Sequence, residues 1–113
     1  MTIEEIMNKE NIPFCMVVNT ITKREDCIGD KKNFATNGLL DMINTNNRLE
    51  DLIRSLDGQI LPTHWTQGEE KMMICNPKKN IFVILCYFSN DSILDRYDMG
   101  VRINDELGKI EYK

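Results

Sequence analysis

The feature that most constrains this chain is the run Asn80–Phe88, N-I-F-V-I-L-C-Y-F, in which eight apolar residues follow one another without a break. Eight residues suit a strand and fall well short of a membrane span. The run is rich in β-branched and aromatic side chains and stops at Ser89-Asn90-Asp91-Ser92, a turn-forming cluster. Strand geometry sends Ile81, Val83, Leu85 and Tyr87 to one face and Phe82, Ile84, Cys86 and Phe88 to the other. Both sets are apolar, so both faces need cover. The expectation is an internal strand with helices packed above and below.

A second run, Phe14-Cys15-Met16-Val17-Val18, has the same character. It predicts another strand buried on both sides. Ahead of it, Thr2-Ile3-Glu4-Glu5 has the form of a capping box. A short helix from there ends before Pro13, because the residue preceding proline is pushed out of the helical region. After it, Asn19–Asp26 turns without a glycine, and a weak edge strand is expected around Cys27-Ile28. Gly29–Asn33 then forms a loop.

From Phe34 to Leu56 the spacing becomes helical. Leu49, Leu52, Ile53 and Leu56 recur at i, i+3, i+4 and i+7, with Met42 and Thr45 extending the stripe backwards. Asn44, Asn46 and Asn47 are poor helix formers, so one long helix and two shorter ones are both open. Asp57-Gly58 marks the stop. Gln59–Thr66 reads as an edge strand because Pro62 removes a ladder donor. Gly68 begins a turn, Lys71–Cys75 is a strand, and Asn76-Pro77-Lys78-Lys79 is a hairpin-length link to Asn80–Phe88. Ser92-x-x-Asp95 caps a final helix. Its apolar residues are Ile93, Leu94, Tyr97, Val101, Ile103, Leu107 and Ile110. Gly100 costs about 1 kcal/mol against Ala within a helix, which close approach to the sheet would justify.

The order is α-β-β-α-β-β-β-α. It predicts an α+β fold of three layers, α/β/α, around a five-stranded, mostly antiparallel sheet, with residues 1–113 forming one domain.

Three segments resemble the roadblock / dynein light chain family. These are Ser55-Leu56-Asp57-Gly58 leading into the strand through Trp65, the stretch Gly68–Pro77, and Asn80–Phe88 feeding the helix Ser92–Ile110. The resemblance spans nearly the whole chain in pattern rather than in exact motif. It implies a roadblock-like sheet with Phe14–Val18 and Asn80–Phe88 at its centre, the two runs that composition alone marked as internal. It further implies a homodimer, or a heterodimer with a related subunit, that binds a Ras-like small GTPase or scaffolds one. Carried onto this chain, the dimer joint is the outer face of Arg48–Leu56 with Gln59–Trp65. The interface residues it names are Arg48, Leu49, Leu52, Leu56, Ile60, His64 and Trp65.

Chemistry offers less. His64 is the only histidine, and no nucleophile motif accompanies it. Trp65 beside it could anchor a partner; the plainer alternative lays Trp65 on the protein's own core and leaves His64 in solvent. Asp91, Asp95, Asp98 and Asp105 do not have the spacing of a calcium loop; acids at a helix start suit its dipole. The four cysteines form no C-x-x-C, and Cys15, Cys75 and Cys86 lie in apolar runs. No phosphate loop is present. The expectation is therefore a chain with no catalytic, metal or cofactor site. A net charge of −4 with scattered basic residues disfavours nucleic acid. The acidic start M-T-I-E-E-I is no signal peptide and no run is long enough to insert in a membrane, which points to the cytoplasm. An acidic secretion-chaperone-like dimer and a profilin-like small-molecule sensor stay open beside the adaptor reading; the sensor requires a ligand-sized cavity between sheet and helix.

Overall fold

A computed structural model describes residues 2–30, 32, 34, 43, 46–56, 62–90 and 92–112, with the backbone alone at 46–48 and 93. Its elements are α1 (Ile3–Glu10), β1 (Phe14–Asn19), β2 (Arg24–Gly29), α2 (Asn46–Ser55), β3 (Thr63–Gln67), β4 (Glu70–Lys78), β5 (Ile81–Phe88) and α3 (Ile93–Leu107). The order is the one the sequence predicts.

The sheet runs β2-β1-β5-β4-β3, and each of the four pairings is antiparallel. The two apolar runs are neighbours inside it, with β5 as the middle strand. Their alternation sorts as expected. Cys15, Val83, Leu85 and Tyr87 belong to the core beneath α1 and α3, whereas Met16, Val18, Ile84 and Cys86 belong to the core beneath α2. Burial of both faces is what excludes water from both sides of β5 and makes it the most strongly held strand.

Local chemistry sets the ends of the elements. Thr2 accepts a hydrogen bond from the Glu5 amide at 3.2 Å, and Ser92 accepts one from the Asp95 amide at 3.1 Å; both predicted caps are in place. Asn11 closes α1 in the left-handed conformation, its φ at 60°, just ahead of Pro13. The glycine-free turn between β1 and β2 is built by Asn19, whose side-chain oxygen accepts from the amides of Ile21 and Thr22 at 2.9 and 3.1 Å. Lys23 completes it with a φ of 60°. Gly29 ends β2 at a φ of +96°, and a Cβ there would lie 2.1 Å from the Pro13 carbonyl oxygen. Only glycine fits that contact.

Beyond the early start of β2 at Arg24, inside the segment read as a turn, and the late start of β3 at Thr63, three boundaries differ from the sequence reading. β4 does not stop at Cys75 but runs through Pro77 to Lys78, with a register shift between Cys75 and Lys78. Proline is tolerated because β3 pairs only as far as Ile74 and the shift is a bulge. The Asn76 side-chain amide bridges the irregularity, donating to Lys78 O at 2.8 Å and Ile81 O at 2.6 Å. The connecting turn is therefore Lys79-Asn80 alone. Second, α3 ends at Leu107 rather than near Ile110, and the tail folds back so that Tyr112 Oη donates to the Leu107 carbonyl at 2.9 Å. Third, α2 begins at Asn46, and Ile43 lies in a turn rather than in a helix running on from Phe34. The expectations for Met42, Thr45, Asp57, Gly58, Gln59 and Leu61 lie outside the described residues.

Candidate functional site

The region to which the resemblance assigns partner contacts is the β3 end of the sheet with the helix before it. α2 turns Leu49, Leu52 and Leu56 inward, where they are 2%, 8% and 4% exposed in the protein's own core. This corrects their place among the interface residues: the i, i+3, i+7 stripe faces the sheet because that burial holds α2 down. What α2 presents outward is Glu50, Asp51 and Arg54, with Ile53 half-buried. Arg54 meets Asp51 at 3.4 Å, and Lys23 reaches Glu50 at 3.7 Å from the β1–β2 turn. The side chain of Arg48 and the whole of Ile60 lie outside the described residues.

β3 is a terminal strand, bonded to β4 in the register His64↔Met73, Trp65↔Met72 and Thr66↔Lys71. Alternation sends its two conspicuous side chains to opposite faces. Trp65, half-buried, packs on the α2 core. His64 faces α3 and is not in solvent: Gly100 is buried on the sheet-facing side of α3, and a Cβ added to it would come within 3.0 Å of the His64 ring. Both imidazole nitrogens are buried with no hydrogen-bond partner among the described residues, and so is Arg96 Nε. Burial first, and then the nearby Arg96 charge, hold the His64 pKa below its usual 6.5. Sequence reasoning missed Arg96, whose half-burial has no periodic signal of its own, although Gly100 flagged the close approach that creates the site.

Lys71 is the buried cation of this corner, its ammonium donating to Thr66 Oγ1 and to the Gly68 carbonyl across the β3–β4 turn. Pro62 stands just before β3 and takes no place in its ladder. The edge strand expected over Gln59–Thr66 therefore starts at Thr63, after the proline, and runs to Gln67.

The cysteines are structural. Burial pushes the Cys75 and Cys86 thiols up to about 12 and Cys15 higher still, so they stay protonated. Cys27 alone is exposed. Among the described residues no three His, Cys, Asp or Glu side chains cluster as metal ligands, and no helix is long and apolar enough to cross a membrane. Two clefts flank the β1–β2 end of the sheet. One, of about 260 Å³, lies between Val17, Ile28, Ile3 and the C-terminal Tyr112. The other, of about 250 Å³, lies between Val18, Lys23, Leu49 and Ile53. Both fall below the roughly 300–1,000 Å³ usual for enclosing a small molecule, whereas a shallower cleft of about 510 Å³ between Asn19, Lys78, Ile81 and Tyr112 and another of about 350 Å³ between Met7, Pro13 and Phe88 reach that size.

An antiparallel five-stranded sheet with β5 in the middle, α1 and α3 on one face and α2 on the other defines the roadblock-type α/β/α fold. Comparison with solved structures finds Myxococcus xanthus MglB similar, with a TM-score of 0.56 over 93% of this chain and 87% of that one. Identity is 13%, so the likeness is one of fold. No family model matches the sequence, and no curated protein does.

Proposed function

We propose that this chain is a non-enzymatic adaptor module of roadblock type that dimerises through β3, with itself or a related subunit, and serves a Ras-like small GTPase in the cytoplasm. The observation that carries the reading is the position of β3 at the end of the sheet, beside α2 and clear of Pro62. A terminal strand is a template for another strand. Pairing β3 with the β3 of a second copy extends five strands to ten and leaves the two α2 helices on one face of the joined sheet. Trp65, half-buried beside that edge, becomes fully covered. The GTPase half rests on the resemblance in sequence pattern and on the likeness of fold to MglB. Fold alone hosts many functions, so that half needs its own test.

Size-exclusion chromatography with light scattering at about 50 μM, where specific dimers are commonly assembled, is expected to give twice the monomer mass. A strict monomer removes the dimer. Mixing the purified protein with a Ras-like GTPase from the same cell, in its GDP and GTP-analogue forms, is expected to give a complex that prefers one nucleotide state. Equal indifference to both states, with no complex on the column, removes the GTPase.

A further inference from the structure

α3 carries two apolar rows and uses only one of them for the fold. Gly100, Ile103 and Leu107 are buried against the sheet, and Arg102 and Glu106 reach across to α1. The second row is Leu94, Tyr97 and Val101, which are 76%, 57% and 47% exposed. At about 100° per residue these three fall on one outer flank of the helix, the flank turned away from α1. Single exposed apolar residues need no explanation; three in a row at i, i+3 and i+7 on one helix form a surface.

A row of acids runs beside them. Asp98 and Asp105 are both exposed. Among the described residues Asp98 forms no ion pair, and Asp105 meets only Lys109, at 3.6 Å with both side chains about three-quarters exposed. Arg102, the basic residue among them, is already held by Glu10. The uncompensated charge of the flank is therefore negative. That decides between occupants. A second copy packed on this flank by two-fold symmetry brings two acidic rows into one interface. An anionic lipid surface repels the same row. A helix with its own apolar row bordered by Lys and Arg matches both features at once.

We propose that the outer flank of α3 is a docking surface for a basic amphipathic helix of a partner protein. It lies on the layer opposite α2, on the side of α3 that faces the β3 edge. α3 is about 22 Å long from its 15 residues, which matches four turns of such a helix. Leu94, Tyr97 and Val101 supply the apolar contact, and Asp98 and Asp105 fix the polarity and direction of the ligand.

The probe is a synthetic helical peptide of about 16 residues, built of Leu at i, i+3, i+4 and i+7 spacing with Lys elsewhere, followed by fluorescence anisotropy. Saturable binding is expected, weakening as salt rises. The pair Leu94→Ser with Val101→Ser is expected to weaken it about tenfold or more, a loss of about 1.4 kcal/mol, and Asp98→Lys with Asp105→Lys likewise. Ile21→Ser, which removes an equally exposed apolar residue from the β1–β2 turn, is expected to leave binding unchanged. The substituted side chains are exposed, and circular dichroism with thermal unfolding verifies that each variant folds. The proposal is overturned if the serine pair binds the peptide as tightly as the parent, if a Glu-for-Lys peptide binds as well, or if no binding occurs below about 1 mM. It is equally overturned if the serine pair instead abolishes self-association or attachment to anionic vesicles, which would assign the flank to a second copy or to a membrane.

Discussion

His64 on β3 and Gly100 on α3 lie so close that a methyl group at position 100 would stand 3.0 Å from both Cε1 and Nε2 of the imidazole. The same methyl would stand 3.0 Å from Met73 Sδ, and Met73 is fully buried. Two effects oppose each other in Gly100→Ala. Helix propensity favours Ala by about 1 kcal/mol, while overpacking a filled site costs about 1–3 kcal/mol. Met73 cannot retreat, so the second effect is expected to win and stability to fall by up to about 2 kcal/mol in urea titration. Paired with His64→Ala, the same substitution has room. A double-mutant cycle is then expected to show a coupling of about 1 kcal/mol; strict additivity would mean that the two residues do not touch.

The same ring predicts a pH dependence. Its pKa is lowered in the folded state, chiefly by burial and then by the Arg96 charge, while the unfolded chain titrates near 6.5. Between those two values the unfolded state binds more protons, so stability rises with pH. The protein is expected to hold its full stability above about pH 6.5 and to lose part of it as the pH falls through the folded-state pKa. Thermal unfolding at pH 7.5 and 5.5 measures the slope, and His64→Gln should flatten it by removing the titrating group. An NMR titration should place the imidazole below 6.5 in the native protein. A value above 6.5 would contradict the desolvated geometry.

Arg102 joins α3 to α1 by a forked pair with Glu10, Nε to Oε2 at 2.9 Å and Nη2 to Oε1 at 2.7 Å. The Glu10 side chain is only 9% exposed, so its carboxylate relies on this partner. That hydrogen bond is also the main reason the Arg102 pKa is raised. Arg102→Ala is expected to cost about 1 kcal/mol, and Arg102→Lys to recover only part, since an ammonium cannot reproduce the fork. The Lys23–Glu50 pair is the internal control: at 3.7 Å and with both side chains largely exposed, its removal should change nothing measurable. Equal effects at the two pairs would show that burial of Glu10 is unimportant.

What the sequence disclosed, and what it hid, follows from which signals are local. Strand alternation in β5 and β1 assigns each side chain to a face, and the sheet keeps that assignment residue by residue. Caps are equally local, which is why Thr2 and Ser92 fall where their spacing predicts. A helical stripe has no such polarity. Leu49, Leu52 and Leu56 announce an amphipathic α2, but periodicity cannot say whether the apolar side meets the protein's own sheet or another molecule. In α3 the ambiguity is sharper, because two stripes coexist: Leu94, Tyr97 and Val101 have the same i, i+3, i+7 spacing as the buried Gly100, Ile103 and Leu107. The signal that separates them is Gly100, a residue costly in a helix and explained only by contact. The sequence leaves His64 between a partner contact and solvent, because nothing in its neighbours along the chain announces α3 above it.

Asn80 is where a local rule and a long-range contact meet, and it yields the most discriminating substitution. Its φ is 66°, a conformation that asparagine and glycine tolerate and that costs other residues about 1–2 kcal/mol. Its carbonyl also accepts from the Thr20 amide at 2.9 Å, which ties the β4–β5 turn to the β1–β2 turn. Asn80→Gly keeps the backbone and that carbonyl and loses the side-chain contact between Thr20 Oγ1 and Asn80 Oδ1 at 3.2 Å. It is expected to change stability by less than about 0.5 kcal/mol, since the contact is only part-buried. Asn80→Val meets the full steric penalty and is expected to destabilise by about 1–2 kcal/mol. The difference between the two variants isolates the backbone term, because both lack the amide. If valine proved as stable as glycine in urea titration, the turn would have to reach β5 by another path than a left-handed Asn80, and the short Lys79-Asn80 connection would fail with it.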